Sequence, residues 1–117
     1  MHLYELAWSP SALGACHALD VPLVWGNLVG GMADLLIGDR TAAEELSEKI
    51  RPAWTGFARS GDPGWPAYEP SRRLTRILDT TCAVAPYPEE TSRALWADHT
   101  FAALWADHTF AALSLTS

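Results

Sequence analysis

The segment His2-Leu3-Tyr4-Glu5-Leu6-Ala7-Trp8 is short, rich in aromatic residues and closed by Ser9-Pro10, a pattern that predicts a strand ending at the proline. A strand needs a neighbour to take its backbone hydrogen bonds. The next strand-like segment is far downstream, at Leu74-Thr75-Arg76-Ile77-Leu78-Asp79. The first strand is therefore expected to pair non-locally and to have one side without its natural partner. With 117 residues, 49% of them hydrophobic and 19% charged, the chain has the composition of one small globular domain with a core of its own.

Between the two strands, Ser11 to Gly26 contains small residues, a histidine and the apolar run Val21-Pro22-Leu23-Val24-Trp25. It reads as a loop followed by a short buried turn or helix. Gly30-Gly31 interrupts the chain before Met32-Ala33-Asp34-Leu35-Leu36-Ile37, and Gly38-Asp39 marks another loop. Thr41 followed by Glu44 forms a capping box, which predicts a helix start. Leu46, Ile50, Trp54 and Phe57 then line one face of a helix running to about Ser60, with Gly61 as its stop. Pro52 inside it predicts a kink near Glu48 or a loosened turn. Glu44, Glu45 and Glu48 form a solvated face, with Glu45 and Lys49 spaced for a helical ion pair.

Gly61-Asp62-Pro63-Gly64-Trp65-Pro66 is a concentrated turn signal, and Pro86 to Pro88 resets the chain after the second strand. Glu89 and Glu90 favour a helix N-terminus, and that helix is expected to run through Leu95. Leu95 to Ala103 reads LWADHTFAA, and Leu104 to Ala112 repeats it. An offset of nine residues turns the second copy to the opposite face of a helix or strand, so the tail at 95–112 reads as an added segment rather than a functional pair.

The net charge of -6 repels phosphate backbones and anionic lipid, so neither nucleic acid nor a membrane is an expected partner. No apolar run reaches the ~18 residues of a membrane span, and the first residues lack the basic start and apolar core of a secretion signal, so the expected location is cytoplasmic. Cys16 and Cys82 are expected to be free thiols. His99 and His108, each after an aspartate, lie nine apart and read as surface histidines rather than metal ligands. No cofactor or metal is expected.

Gly14-Ala15-Cys16-His17-Ala18-Leu19-Asp20-Val21-Pro22-Leu23-Val24-Trp25-Gly26 resembles the histidine loop of type-B carboxylesterases, the group that includes cholinesterases and bacterial nitrobenzyl esterases. That pattern runs roughly Gly-Ala-x-His-x-x-Glu-Leu-x-Phe-Val-Phe-Gly. The resemblance continues more loosely through Ala53-Trp54-x-x-Phe57-Ala58-Arg59-x-Gly61-Asp62-Pro63 and Trp65-Pro66-Ala67-Tyr68, and covers about residues 1–96. It implies an α/β fold: the C-terminal portion of an α/β-hydrolase, an incomplete sheet of one or two strands with packed helices.

In that architecture the catalytic residues follow the chain order serine, acid, histidine, with the serine in a Gly-x-Ser-x-Gly turn. No serine of this sequence has that setting. By resemblance His17 is the general base, and Asp20, at the family's glutamate position, supports the loop rather than completing the triad. The chain is expected to be a fragment that is inactive alone, with a carboxylic ester as substrate only in the full-length context. Its expected partners are a further copy of itself or the missing N-terminal portion. The competing class is a non-catalytic interaction module that associates through the open strand edge and the aromatic tail.

Overall fold

The computed structural model describes residues 1–99. The elements run β1 (Tyr4–Leu6), α1 (Asp20–Trp25), α2 (Met32–Leu36), α3 (Arg40–Ser60), β2 (Leu74–Leu78), β3 (Ala83–Pro86) and α4 (Glu90–Trp96). β1 pairs in parallel with β2, Tyr4 opposite Arg76 and Leu6 opposite Leu78. Parallel neighbours require a crossover, and α1, α2 and α3 form it. The distant pairing expected of the first strand is therefore present.

The sheet has three strands in the order β1-β2-β3, one more than the sequence suggested. β3 runs antiparallel to β2, from Leu74 opposite Pro86 to Ile77 opposite Ala83. Of its Ala-Val-Ala-Pro sequence only Val84 favours a strand, too short a signal to read, and Pro86 is tolerated because β3 is an edge strand.

α3 begins one residue before Thr41, and its cap is Asp39. The Asp39 Oδ1 accepts hydrogen bonds from the Thr41 and Ala42 amides at 2.9 and 3.3 Å. The capping-box reading is corrected by two residues. Asp39 has the extended backbone that an N-cap requires, whereas Thr41 already lies inside the helix. Ala43, Leu46, Ser47 and Ile50 form the buried face. The stripe then leaves the core: Trp54 is half-buried and Phe57 is 52% exposed.

Helical structure continues unbroken through Pro52. Pro52 and Glu48 are both exposed, so the Glu48 carbonyl that the proline cannot serve lies on the solvent side. At the end Gly61 adopts the left-handed conformation, φ 76°, and donates its N–H to the Phe57 carbonyl at 2.8 Å, as a glycine stop should. Lys49 does not pair with Glu45; its Nζ donates to the Thr80 carbonyl at 2.9 Å, tying α3 to the β2–β3 turn.

The core gathers Trp8, Leu19, Leu23, Leu28, Leu36, Ile37, Leu46, Ile50 and Leu78 from β1's end, α1, α2, α3 and β2. Cys16 and Cys82 pack against it as free thiols. The turn after α3 returns beside the N-terminus, where the Trp65 Nε1 donates to the Leu3 carbonyl at 3.1 Å and the Tyr68 amide to that of Met1 at 2.9 Å. α4 buries no side chain; Glu90 ties its start to Arg73, ahead of β2, and also pairs with Arg93 within the helix. Of the duplicated tail, residues 100–112 lie outside the described residues, and with them His108.

Candidate active-site histidine

His17 lies on the loop that follows the carboxyl end of β1, the end at which α/β sheets place their ligands. The loop is anchored on both sides by buried residues, Trp8 before it and Leu19 after it. Between them the backbone closes short turns: the Gly14 amide donates to Ser11 at 2.9 Å, Cys16 to Gly14 at 3.0 Å and Leu19 to Cys16 at 3.3 Å. Gly38, just ahead of α3, lets the loop pass close, because a Cβ there would overlap the Pro10 carbonyl oxygen. His17 itself is exposed.

Ala18 has φ 67°, in the left-handed region where an L side chain is strained. That residue reverses the chain from the His17 loop into α1, and its carbonyl accepts from the Val21 amide at 3.2 Å. Asp20 opens α1, where a carboxylate faces the positive end of the helix. Among the described residues no hydrogen bond or ion pair reaches the side chain of His17 or of Asp20. The loop thus presents an exposed imidazole to which, among the described residues, neither a nucleophile nor an orienting acid is bonded.

α1 is buried on one side only, which corrects the expectation of a buried turn or helix. Pro22 and Leu23 face the core, whereas Val21 is 51% and Trp25 79% exposed. With Ala18 and Met32 they line a cleft of about 410 Å³ that begins at the residue after His17. Sequence reasoning missed this exposed apolar face. The signal was the apolar run itself, too continuous for a short helix that buries one stripe.

A second cleft, of about 200 Å³, lies among His2, Tyr4, Trp54, Phe57 and Trp65 and does not include His17. Tyr4 meets Trp54 edge to face at 4.8 Å between ring centres, and His2 meets Phe57 and Trp65 in the same manner. The buried Nδ1 of His2 has no hydrogen-bond partner among the described residues. Burial, with the Asp20 charge added to it, raises the Tyr4 phenol above its ordinary range. Among the described residues no cluster of three His, Cys, Asp or Glu side chains is placed to hold a metal, and no helix is long and apolar enough to cross a membrane.

The chain is 38% identical over 101 residues to the para-nitrobenzyl esterase of Bacillus subtilis, a match that takes in 78% of this chain and 20% of that enzyme. It is 29% identical over 96 residues to the dog carboxylesterase 5A, covering 76% of this chain and 16% of that one. Its fold superposes on a Geobacillus stearothermophilus carboxylesterase with a TM-score of 0.68 and 30% identity, over 81% of this chain and 21% of that one. A PNB esterase structure gives the same TM-score at 34% identity. The chain belongs to the type-B carboxylesterase family.

It spans about a fifth of the length of the carboxylesterases it matches. No family model matches it. As a carboxylesterase segment, its three strands and the helices packed on them are a piece of an α/β-hydrolase fold, in accord with the fold class expected from the sequence.

Proposed function

We propose that this chain is the C-terminal, histidine-bearing portion of a serine carboxylic-ester hydrolase, and that His17 is its general base. The observation that carries the reading is the position of His17: exposed, on a loop held at both ends by core residues, just past the carboxyl end of a parallel strand. In the complete site the imidazole takes the proton of a serine hydroxyl as that oxygen attacks the ester carbonyl. It returns the proton to the departing alcohol, and water then releases the acyl group by the same route reversed. The serine and the acid that fixes the imidazole tautomer come from the N-terminal portion of the domain. The substrate is a carboxylic ester in that full context only. The -6 charge supports neither nucleic acid nor anionic membrane as partner.

The test is hydrolysis of a short-chain p-nitrophenyl ester, and labelling by a fluorophosphonate, with the purified chain alone. The expected result is that neither rises above background. Turnover accompanied by serine labelling and abolished by His17→Ala would contradict the reading, because the chain would then contain its own nucleophile.

The open edge of β1 and the exposed Trp25 favour a second reading, a non-catalytic module that associates through these surfaces. Sedimentation discriminates it: a compact monomer at every concentration removes its basis in self-association.

A further inference from the structure

Tyr4 in β1 and Arg76 in β2 lie directly opposite one another on neighbouring strands. Residues paired in this way point to the same side of the sheet, with their chains roughly 4.8 Å apart. That side is the one α3 covers. Tyr4 lines the aromatic cleft with Trp54, and Arg76 lines a further cleft of about 350 Å³ against Lys49, Pro52 and Ala53 of the same helix. The two clefts share Ala53, Pro63 and Trp65 as walls, so they are compartments of one groove, and neither includes His17.

The compartments differ in chemistry. Rings wall the first, whereas two cations face the second. Arg76 is half-buried, and among the described residues no hydrogen bond or ion pair reaches its guanidinium. A cation that has lost part of its water gains most from an anion whose geometry fits it, and the guanidinium fork fits a carboxylate. Lys49 commits one N–H to the Thr80 carbonyl and keeps two more donors. Asp62 is in the same wall, but its Oδ1 accepts from the Gly64 amide at 2.8 Å and pairs with neither cation. Two cations against one carboxylate leave a single positive charge, which a monoanion balances and a phosphate dianion exceeds. The net charge of -6 on the whole chain also disfavours a more highly charged ligand.

We propose that this groove is a binding site for a small aryl carboxylate, its carboxylate on Arg76 and Lys49 and its ring against Tyr4 and Trp54. The site is separate from His17 and does not rest on the catalytic reading. The occupant follows from the juxtaposition: a ring-lined and a cationic compartment meet at one strand pair, so a ligand reaching both carries a ring beside a single negative charge. An aliphatic carboxylate leaves the aromatic wall uncovered. A neutral arene leaves the guanidinium unpaired.

The test is a titration of the full chain with sodium benzoate, followed in proton–nitrogen correlation spectra at the Arg76 Nε–H and the Trp54 indole N–H. Both are expected to shift saturably with one Kd. Benzamide keeps the ring without the charge and acetate the charge without the ring, and each is expected to bind about tenfold more weakly. Arg76→Leu weakens benzoate by about tenfold or more. Asp62→Asn, which keeps an acceptor for the Gly64 amide, removes the competing charge and tightens benzoate by about threefold. Arg59→Leu, at an exposed cation outside the groove, leaves the Kd unchanged. The proposal is overturned by the absence of a saturable shift up to about 10 mM benzoate. It is overturned equally by benzamide or acetate binding as tightly as benzoate, or by Arg59→Leu costing as much as Arg76→Leu. Should Arg76→Leu fail to fold, Asp62→Asn decides: benzoate binding that is unchanged or weaker there overturns the proposal.

Discussion

The Ser47 hydroxyl donates a 2.6 Å hydrogen bond to the Leu23 carbonyl, joining the buried face of α3 to the short helix that follows His17. Leu23 lies in the last turn of α1, where backbone carbonyls have no partner within the helix, and both residues are buried. The bond therefore satisfies a group that water cannot reach, and it fixes α1 against the longest element of the fold. Ser47→Ala leaves that carbonyl unpaired and is expected to cost about 1–3 kcal/mol, read as a lower midpoint in urea unfolding.

Strain next to His17 gives a prediction of opposite sign. Ala18 is held at φ 67°. A left-handed alanine costs roughly 1–2 kcal/mol, and glycine removes this at an entropic cost of roughly 0.5–1 kcal/mol. Ala18→Gly is expected to stabilise the chain by up to about 1.5 kcal/mol, while Ala18→Val, β-branched at the same φ, destabilises it. Thermal unfolding of the two variants ranks them on either side of the parent.

Two glutamates should titrate in opposite directions. Burial, with the nearby Glu89 charge added, raises the Glu5 carboxyl above its ordinary value. Glu90 is held below its ordinary value, first by its hydrogen bonds from Arg93 at 2.9 and 2.6 Å and then by the charge of Arg73. The contribution of Glu90 is present above its unfolded-state pKa and is lost as pH falls through the depressed folded value. That of Glu5 is present below its unfolded-state pKa and is lost as pH rises through the elevated one. Carboxyl-carbon NMR titration should find the Glu5 midpoint above that of Glu90, with the gap narrowing in Arg93→Ala.

Much of the architecture was legible because its signals are local. β1 is shorter than the pattern suggests and stops at Leu6, although the Ala7 and Trp8 amides still bond to Leu78 ahead of Ser9-Pro10; Gly61 ends α3 in the left-handed conformation, and Glu89-Glu90 opens α4. β3 was not legible, since Ala83-Val84-Ala85 is a strand only because β2 offers it an edge. The cap of α3 was misplaced because Thr41 and Glu44 fit a capping box while Asp39, two residues earlier, fits the simpler single-residue cap. In the sequence His17 is singled out only by the family pattern around it. The exposed side of α1 was not, because Val21 to Trp25 reads as apolar throughout and only the packing against α3 shows which stripe is covered.

The two capping readings separate cleanly by mutation. Asp39→Ala removes the acceptor used by the Thr41 and Ala42 amides and should cost about 1 kcal/mol, within the usual range of about 0.5–2. Thr41→Ala, at an exposed position inside the helix, should change the urea midpoint by much less.

The most direct test of the catalytic account is kcat/KM for a p-nitrophenyl ester in a chimera, the Bacillus subtilis para-nitrobenzyl esterase with its matching segment replaced by this chain, measured with His17 intact and with His17→Ala. Turnover in the intact chimera that falls by roughly 10⁴-fold or more in the variant is the predicted result, the loss expected when a triad base is removed. A folded chimera whose turnover stays within about tenfold after His17→Ala would show that the proton passes through another group.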